Sequence, residues 1–231
     1  LFDWHDPRSD ALAAWKGFLG TGRLYPPLLA ALKPAFLKAA DHHSELAIYG
    51  DNYVSMLTVL ALEQDDRFSV GELCLATHAL DEAGLSQAAR TLRQALQSAG
   101  DQRETYFQHR IVPYFRKIWP KTREHRTPVV AGRLAELCIM ADACFPEAVE
   151  LVRHWLVPVD SPYGLLHRLK GSGLCGRFPE SSLELLGRVI GEGLPWVPRD
   201  LAGCLEAIVE TAPGLKEDLR FRRLRVLHHV S

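Results

Sequence analysis

The sequence has little of what would indicate a disulfide framework or a membrane anchor. Its 231 residues include five cysteines, an odd number, scattered mostly through apolar stretches. Disulfide scaffolds instead carry paired cysteines at close spacing, so we expect reduced, buried thiols. No apolar run reaches the roughly 18 to 20 residues of a membrane-spanning helix, and no secretory signal pattern opens the chain. We therefore expect a cytoplasmic protein without membrane partners.

An excess of charge of one sign is also missing. The chain has 27 Lys and Arg against 28 Asp and Glu, and 47% of its residues are hydrophobic. A globular chain of this length buries about 70–75% of its unfolded surface, so its stability requires neither a metal nor a disulfide. The sequence starts at Leu1 without an initiator methionine. We expect a C-terminal fragment of a longer protein, with removal of an N-terminal tag as the alternative.

Metal-binding spacing is not evident among the ten histidines. His42 and His43 are adjacent, as are His228 and His229, and adjacent helical residues point to different faces. No H-E-x-x-H or C-x-x-C pattern occurs. Five histidines are interpreted as isolated from cysteine or carboxylate at ligand spacing, namely His78, His109, His125, His154 and His167. We expect no metal site, although one assembled from distant residues stays an alternative.

Catalytic and cofactor-binding patterns are similarly lacking. The stretch Gly171–Gly176, "GSGLCG", matches G-x-G-x-x-G, but the dinucleotide site requires a preceding strand. Here a predicted helix precedes it, so a helix C-terminus followed by a glycine-rich turn is the favoured interpretation. No nucleophile elbow or cysteine-protease signature occurs. We expect no cofactor and no catalytic residue within this segment.

Strand-type alternation is absent, and helical periodicity is present almost throughout. Apolar residues recur every three to four positions, as in Leu85, Ala88, Ala89, Leu92 and Leu96, which is typical of amphipathic helices. The pattern predicts an all-α fold of about 10 to 12 helices. They are expected over 10–19, 26–39, 44–62, 69–81, 84–98, 102–118, 128–141, 146–156, 162–170, 180–191, 199–212 and 215–228.

Two Phe-Pro-Glu helix starts lie 33 residues apart, at Phe145 and Phe178. Proline costs no hydrogen bond in the first turn, and an acidic residue there meets the positive end of the helix dipole. Shared flanking residues favour repeated helical hairpins of the α-solenoid, HEAT-like type; the alternative is a plain helical array. We predict one domain over 1–231, with an irregular part over 1–126 and repeat-like hairpins over 127–231.

The most prominent charge feature lies between Arg103 and Arg126, where basic residues alternate with aromatic ones. Seven Arg or Lys and two Glu give this stretch a formal charge of +5. Such a composition suits phosphate contacts and base stacking, but the rings also have the spacing of a buried helix face. The residues predicted to bind nucleic acid or an acidic partner are Arg103, Arg110, Arg116, Lys117, Lys121, Arg123 and Arg126.

Several phrases of the sequence together resemble a known family. They are "RLYPPLLAALKPAFLKAA", "IVPYFRKIWPKTREH", "FPEAVELVRHWL", "GSGLCGRFPE" and "WVPRDLAGCLEAI". They resemble the helical C-terminal region, of unknown function, of large bacterial proteins with a sirtuin-like domain that are associated with defence against phages. The resemblance implies a non-catalytic module, with any NAD-consuming activity in an upstream domain.

The expected function is therefore an interaction or regulatory module within a larger bacterial protein. Stacked helices present an extended face for a protein partner, for other domains of the same polypeptide or for self-association. Nucleic-acid binding through the basic stretch 103–126 is the alternative.

Overall fold

The computed structural model describes residues 33–41, 43–44, 50–64, 66–122, 124–192 and 199–229. Within these ranges every regular element is a helix, and no β-strand occurs. The predicted all-α class is confirmed for this part of the chain. The helix expected over 10–19, and the first part of that expected over 26–39, lie outside the described residues.

The helices follow the predicted order closely. Their bounds are α1 Gly50–Glu63, α2 Val70–His78, α3 Glu82–Ser98, α4 Arg103–Tyr106, α5 Val112–Lys117, α6 Pro128–Met140, α7 Phe145–Val152, α8 Tyr163–Gly171, α9 Leu174–Arg177, α10 Pro179–Val189, α11 Arg199–Thr211 and α12 Leu219–His229. Residues 33–38 are also helical. Short 3₁₀ turns cover Gly100–Gln102, Asp142–Cys144 and Pro213–Glu217.

The chain divides into two compact units. Unit 1 comprises Leu1–Leu92 and Gln108–Thr122, and unit 2 comprises Arg93–Phe107 and Arg123–Ser231. One boundary falls inside α3 and another inside a π-helix. The predicted division at residue 126 and the HEAT-like stacking of hairpins stay predictions.

The helix expected over 102–118 is interrupted by that π-helix, which spans Phe107–Ile111 between α4 and α5. Pro113 lies just after it, in the first turn of α5. Proline has no N–H to donate, and its ring collides with the carbonyl four residues earlier in a regular α-helix. A wider π turn relieves this collision, so the interruption follows from Pro113.

Aromatic packing fixes α1 in unit 1. The Phe36 ring centroid lies 5.0 Å from that of Tyr53 and 5.8 Å from that of Phe68. The Tyr53 hydroxyl donates a hydrogen bond of 2.7 Å to the Phe36 carbonyl. This bond satisfies a polar group that is otherwise buried, and the burial raises the pKa of Tyr53. Helix α1 is thereby attached to the helical segment 33–38.

Helix α2 begins with a reciprocal cap. The Ser69 hydroxyl accepts from the Glu72 N–H at 3.2 Å, and the Glu72 carboxylate accepts from the Ser69 N–H at 2.8 Å. This capping box satisfies two donors that the helix leaves unpaired. The pKa of Glu72 is lowered to about 2, mainly by the hydrogen bond from Lys33 and to a smaller extent by those from Ser69. The capping box thus fixes where α2 begins, and the ion pair of 2.9 Å between Lys33 and Glu72 links that start to the helical segment 33–38.

Asp81 and His43 link two further segments of unit 1. The Asp81 carboxylate accepts from His43 Nε2 and from the Gly84 N–H, each at 2.9 Å. His43 is buried, and its Nδ1 lies 3.0 Å from the Ala40 carbonyl. Burial raises the pKa of Asp81, but the Gly84 hydrogen bond and the His43 contact outweigh it and hold the pKa below its ordinary value.

This lowered pKa makes the stability of the chain dependent on pH at the acidic end. Because the folded-state pKa of Asp81 is below the unfolded value, its contribution is present above about pH 4 and is lost as pH falls through the folded pKa. Asp81→Asn keeps a side-chain oxygen that can accept the hydrogen bond from the Gly84 N–H, but it removes the negative charge. We expect the variant to be less stable than the wild type at pH 6, with the difference shrinking below pH 4 in urea denaturation at each pH. A difference that stays constant from pH 6 to pH 3 would contradict this account.

Unit 2 is organised around α11. This helix packs against α8, α9, α10 and α12, and the residues at the centre of the unit, such as Leu166, Leu186 and Ile208, are fully buried. The last helix is held by arginines as well as by apolar contacts. The Arg223 guanidinium donates to the carbonyls of Gly187 and Ile190, which lie at the end of α10 and lack partners within that helix.

The two Phe-Pro-Glu starts meet in unit 2 but differ in geometry. The ring centroids of Phe145 and Phe178 lie 6.2 Å apart. Phe145 has helical backbone angles, φ −53° and ψ −45°, and is fully buried. Phe178 precedes its helix with φ −138° and ψ 66° and is half-buried. The two phenylalanines therefore do not occupy equivalent positions, although both helices begin at Phe-Pro-Glu as predicted.

Candidate interaction surface

The seven predicted binding residues are divided between the units. Arg110, Arg116, Lys117 and Lys121 belong to unit 1, Arg103 and Arg126 belong to unit 2, and Arg123 lies outside the described residues. Arg103 is half-buried. Arg126 is half-buried and donates to the Leu156 carbonyl at 2.9 Å, so this side chain has a structural contact. The candidate surface is therefore carried by the four unit 1 cations.

The aromatic residues of the same stretch are core residues. Phe107, Tyr114, Phe115 and Trp119 are all buried, and Trp119 packs on Phe115 with ring centroids 5.1 Å apart. Burial raises the pKa of Tyr114 to about 12, opposed by the side chains of Thr58 and Thr77, which face its hydroxyl. Four of the five rings in the stretch are buried and Tyr106 is half-buried, so at most one ring of the stretch is accessible for base stacking.

A cleft of about 160 Å³ opens in unit 1, and two of these four cations line it. Its lining combines the apolar side chains of Phe68, Leu73, Pro113 and Ile118 with the cations Arg110 and Lys117 and with one carboxylate, Asp66. Five of the lining residues, at positions 110, 113, 114, 117 and 118, recur at the three-to-four spacing of one helix face. One segment therefore supplies both apolar and cationic side chains to the cleft. A cavity of about 150 Å³ holds a benzene-sized group, so the cleft can accept one large apolar side chain.

The four unit 1 cations have no carboxylate counter-charge within the described part of the chain. Arg116, Lys117 and Lys121 are exposed, and Arg110 is half-buried. None of the four forms an ion pair with a carboxylate of any residue that the structure describes. The Arg110 guanidinium makes one long contact, 3.4 Å, to the Glu63 carbonyl. We call Arg110, Arg116, Lys117 and Lys121 the cationic rim.

The arginines of unit 2 behave differently, because many of them are paired. The largest group surrounds Glu136, whose Oε2 lies 3.3 Å from Arg133 Nη1 and 3.7 Å from Arg93 Nε, while Oε1 contacts Arg168. Arg133, Glu136 and Arg168 also line a second cleft of about 250 Å³. Sequence spacing does not reveal this cluster, because its members come from three helices, α3, α6 and α8, that are distant in sequence.

The cysteines are largely as expected. Cys138, Cys144, Cys175 and Cys204 are buried, and all five cysteines are free thiols. Cys175 and Cys204 lie within hydrogen-bonding contact, which lowers the pKa of Cys175 and raises that of Cys204. Cys74 departs from the expectation, because it is only half-buried.

Cys74 also corrects the prediction that His78 is isolated. Its sulfur lies 3.5 Å from His78 Nε2, four residues further along α2. The C-x-x-x-H spacing is readable in the sequence and places both side chains on one helix face. Among the described residues, no group of three or more metal-ligating side chains converges.

The glycine-rich stretch is a connection between helices. Helix α8 ends at Gly171, Gly173 has a left-handed backbone with φ 70°, and α9 follows directly at Leu174. A helix rather than a strand precedes the stretch, in agreement with the sequence interpretation, and only glycine adopts this backbone without strain. The short helix α9 within it was not predicted.

The fold and the cleft together define an all-helical protein with a cation-rimmed apolar cleft. No family model matches the sequence, and no solved structure matches it. A relative is the uncharacterized protein y4cA of Sinorhizobium fredii (strain NBRC 101917 / NGR234), which is 26% identical over 159 residues. The match covers 61% of this chain and 13% of the relative. Among the described residues, no helix is long and apolar enough to cross a membrane.

Proposed function

We propose that this chain is a non-catalytic helical interaction module that binds an acidic protein segment carrying one large apolar side chain. The observation that carries the proposal is the unit 1 cleft, where apolar side chains adjoin Arg110 and Lys117, two cations that form no ion pair with any carboxylate in the described part of the chain. The apolar side chain would enter the cleft, and flanking Asp or Glu residues would pair with Arg110 and Lys117.

In this arrangement the apolar side chains of the cleft supply affinity, and the cations supply selectivity for an acidic segment. Burial of an apolar side chain contributes about 25 cal/mol per Å² of area removed from water. Exposed cations add little affinity individually, but they steer an oppositely charged segment and select against basic ones. An uncharged cleft of the same size would bind apolar groups without that selectivity.

The wider context of the proposal comes from the sequence resemblance. A module of a large bacterial defence protein would use this cleft to bind a phage component, or to hold another domain of its own polypeptide. The size of y4cA, of which the matching region is 13%, is in keeping with a module of a longer protein. Any NAD-consuming chemistry would belong to a different domain.

Nucleic-acid binding through the cationic rim is the competing function. The three exposed cations Arg116, Lys117 and Lys121 suit phosphate contacts, whereas the buried rings remove the stacking contribution. Binding by phosphate contacts alone would be sequence-independent. Its affinity would fall with salt at a log–log slope of roughly −0.7 to −0.9 per contact.

Fluorescence anisotropy with labelled probes distinguishes the two functions. The probes are a short Glu- and Asp-rich peptide with one central phenylalanine, the same peptide with alanine in its place, and single- and double-stranded DNA and RNA oligonucleotides. We expect the phenylalanine peptide to bind best. Lys117→Glu and Arg110→Glu should each weaken this binding about tenfold, or roughly 1.4 kcal/mol.

The matched control is Lys216→Glu, which reverses the charge of an exposed lysine in unit 2. This variant should bind the peptide like the wild type. Equal binding of the alanine peptide, or equal weakening by all three charge reversals, would contradict a role for the cleft. Strong, salt-dependent binding of the oligonucleotides alone would establish the competing function instead.

A further inference from the structure

The exposed face of α2 carries a thiol and an imidazole side by side. Cys74 and His78 are four residues apart, and Cys74 Sγ lies 3.5 Å from His78 Nε2. His78 is exposed and Cys74 is half-buried, whereas the other four cysteines are buried. Cys74 is therefore the cysteine of this chain that a ligand can reach.

The residues around this pair are unusual for a solvent-facing helix surface. Val70 is 51% exposed and Leu75 is 74% exposed, and at 100° per residue they flank Cys74 and His78 on either side. Gly71 lies on the same arc, and nothing lies within 4 Å of the position where its side chain would begin. Leu73, Ala76 and Thr77, on the opposite arc, are buried in unit 1.

The distance within the pair matches a metal-ligand geometry. In a tetrahedral zinc site, Zn–S is about 2.3 Å and Zn–N about 2.0–2.1 Å, so a cysteine sulfur and a histidine nitrogen on the same ion lie about 3.5 Å apart. A weak thiol–imidazole hydrogen bond has a similar length. The pair is thus already spaced for chelation, and no change in the backbone of α2 is required.

We propose that Cys74 and His78 form half of a zinc site whose other half is the same pair of a second copy of this chain. Two ligands leave a tetrahedral structural site incomplete, because such sites use four. Two copies related by a two-fold axis through the ion supply Cys₂His₂. An isologous contact of this kind places identical surfaces against each other, and it would cover Leu75 and Val70 of both copies, of which Val70 also lines the unit 1 cleft.

Two carboxylates close to the pair in sequence, Glu72 and Asp81, already have partners. Glu72 caps Ser69 and pairs with Lys33 at 2.9 Å. Asp81 binds His43 and the Gly84 N–H. Neither carboxylate is available as a third ligand from the same copy without breaking these contacts, and this favours completion by a second copy.

The binding step releases protons and involves no redox change. Each cysteine loses its S–H proton to solvent as its thiolate sulfur donates an electron pair to Zn²⁺, and each histidine binds through neutral Nε2. Two protons therefore leave per bridged ion. Affinity should fall as pH is lowered, because protons compete with the metal for both ligand types.

The test is a titration of the full 231-residue chain with Co²⁺ as a spectroscopic probe for Zn²⁺, in a reductant that does not bind metals. We expect a thiolate-to-cobalt absorption band that saturates at one ion per two chains and disappears on addition of Zn²⁺. Analytical ultracentrifugation should show a dimer with half an equivalent of Zn²⁺ and a monomer after EDTA.

Cys74→Ser and His78→Ala should each weaken binding by at least tenfold, since losing an outer-shell partner alone typically costs 10- to 100-fold. Both positions are accessible, so the variants should fold, which circular dichroism verifies. The matched control is His109→Ala, another exposed histidine of unit 1, which should bind like the wild type. Saturation at one ion per monomeric chain, absence of the thiolate band, or unchanged binding in both variants would overturn the proposal.

Discussion

Phe145→Ala is expected to lower the free energy of unfolding by about 3–5 kcal/mol, the usual cost of truncating a core phenylalanine. Phe145 is fully buried in the first turn of α7. This helix packs against α6 and α10, so the lost ring would leave a cavity between three elements that are each held by other contacts. Such a cavity collapses only partly, and this adds to the loss of buried apolar area.

Phe178→Ala should cost less, about 1–2 kcal/mol. The ring of Phe178 is half-buried and has the Arg177 guanidinium 5.2 Å from its centroid, so only part of its surface leaves water on folding. Its removal also opens one side of the Phe145 ring, which keeps the effect above that of an ordinary surface substitution. Urea denaturation of both variants measures the difference. Equal losses would restore the equivalence that the matching Phe-Pro-Glu starts suggest.

Glu136→Gln is expected to cost about 1–3 kcal/mol, because three guanidinium groups would lose their common counter-charge. The Glu136 side chain is only 13% exposed, and Arg93, Arg133 and Arg168 all contact it. Removing one partner of a fully buried pair costs about 3–5 kcal/mol. The expected value is smaller because Arg133 and Arg168 remain 41% and 50% exposed, so solvent screens part of the repulsion.

Two further variants distinguish the effect of the clustered arginines from the effect of losing a single ion pair. Glu150→Gln breaks the ion pair between Glu150 and Arg153, in which the Glu150 side chain is 67% exposed. This substitution should lower the free energy of unfolding by less than about 1 kcal/mol. Adding Arg168→Gln to Glu136→Gln should recover part of the lost stability, because it removes one of the repelling charges. If the Glu136 variant loses no more than the Glu150 variant, or if the second substitution adds its own cost, the cluster is an ordinary solvated surface.

Much of the helical architecture was predictable because its causes are local. Helix starts at Pro128, Phe145 and Pro179 follow from prolines that satisfy first-turn geometry. The buried side chains of Phe107, Tyr114 and Phe115 follow from their helical spacing. The Cys74–His78 pair was equally local, since an i, i+4 spacing fixes which side chains meet on a helix.

The π-helix shows how a local rule can be applied too simply. The sequence predicts one continuous helix over 102–118, but Pro113 prevents a regular α-helix through its preceding turn. The structure accommodates the proline by widening that turn over Phe107–Ile111. Helical periodicity alone does not reveal this, because the buried face continues on both sides of the interruption.

The sequence by itself determined the all-α class, most helix boundaries in the described residues and the buried faces of those helices, since these depend on residues within a few turns of one another. The tertiary structure alone decided which charges are paired and how deeply equivalent-looking residues are buried. Glu136 gathers arginines from three helices, whereas Arg110 and Lys117 form no ion pair with a carboxylate among the described residues. Phe145 and Phe178 share a sequence context but not an environment. The physical reason is that ion pairing and burial depend on which distant segments fold against a residue. The spacing of residues along the chain does not indicate which segments these are.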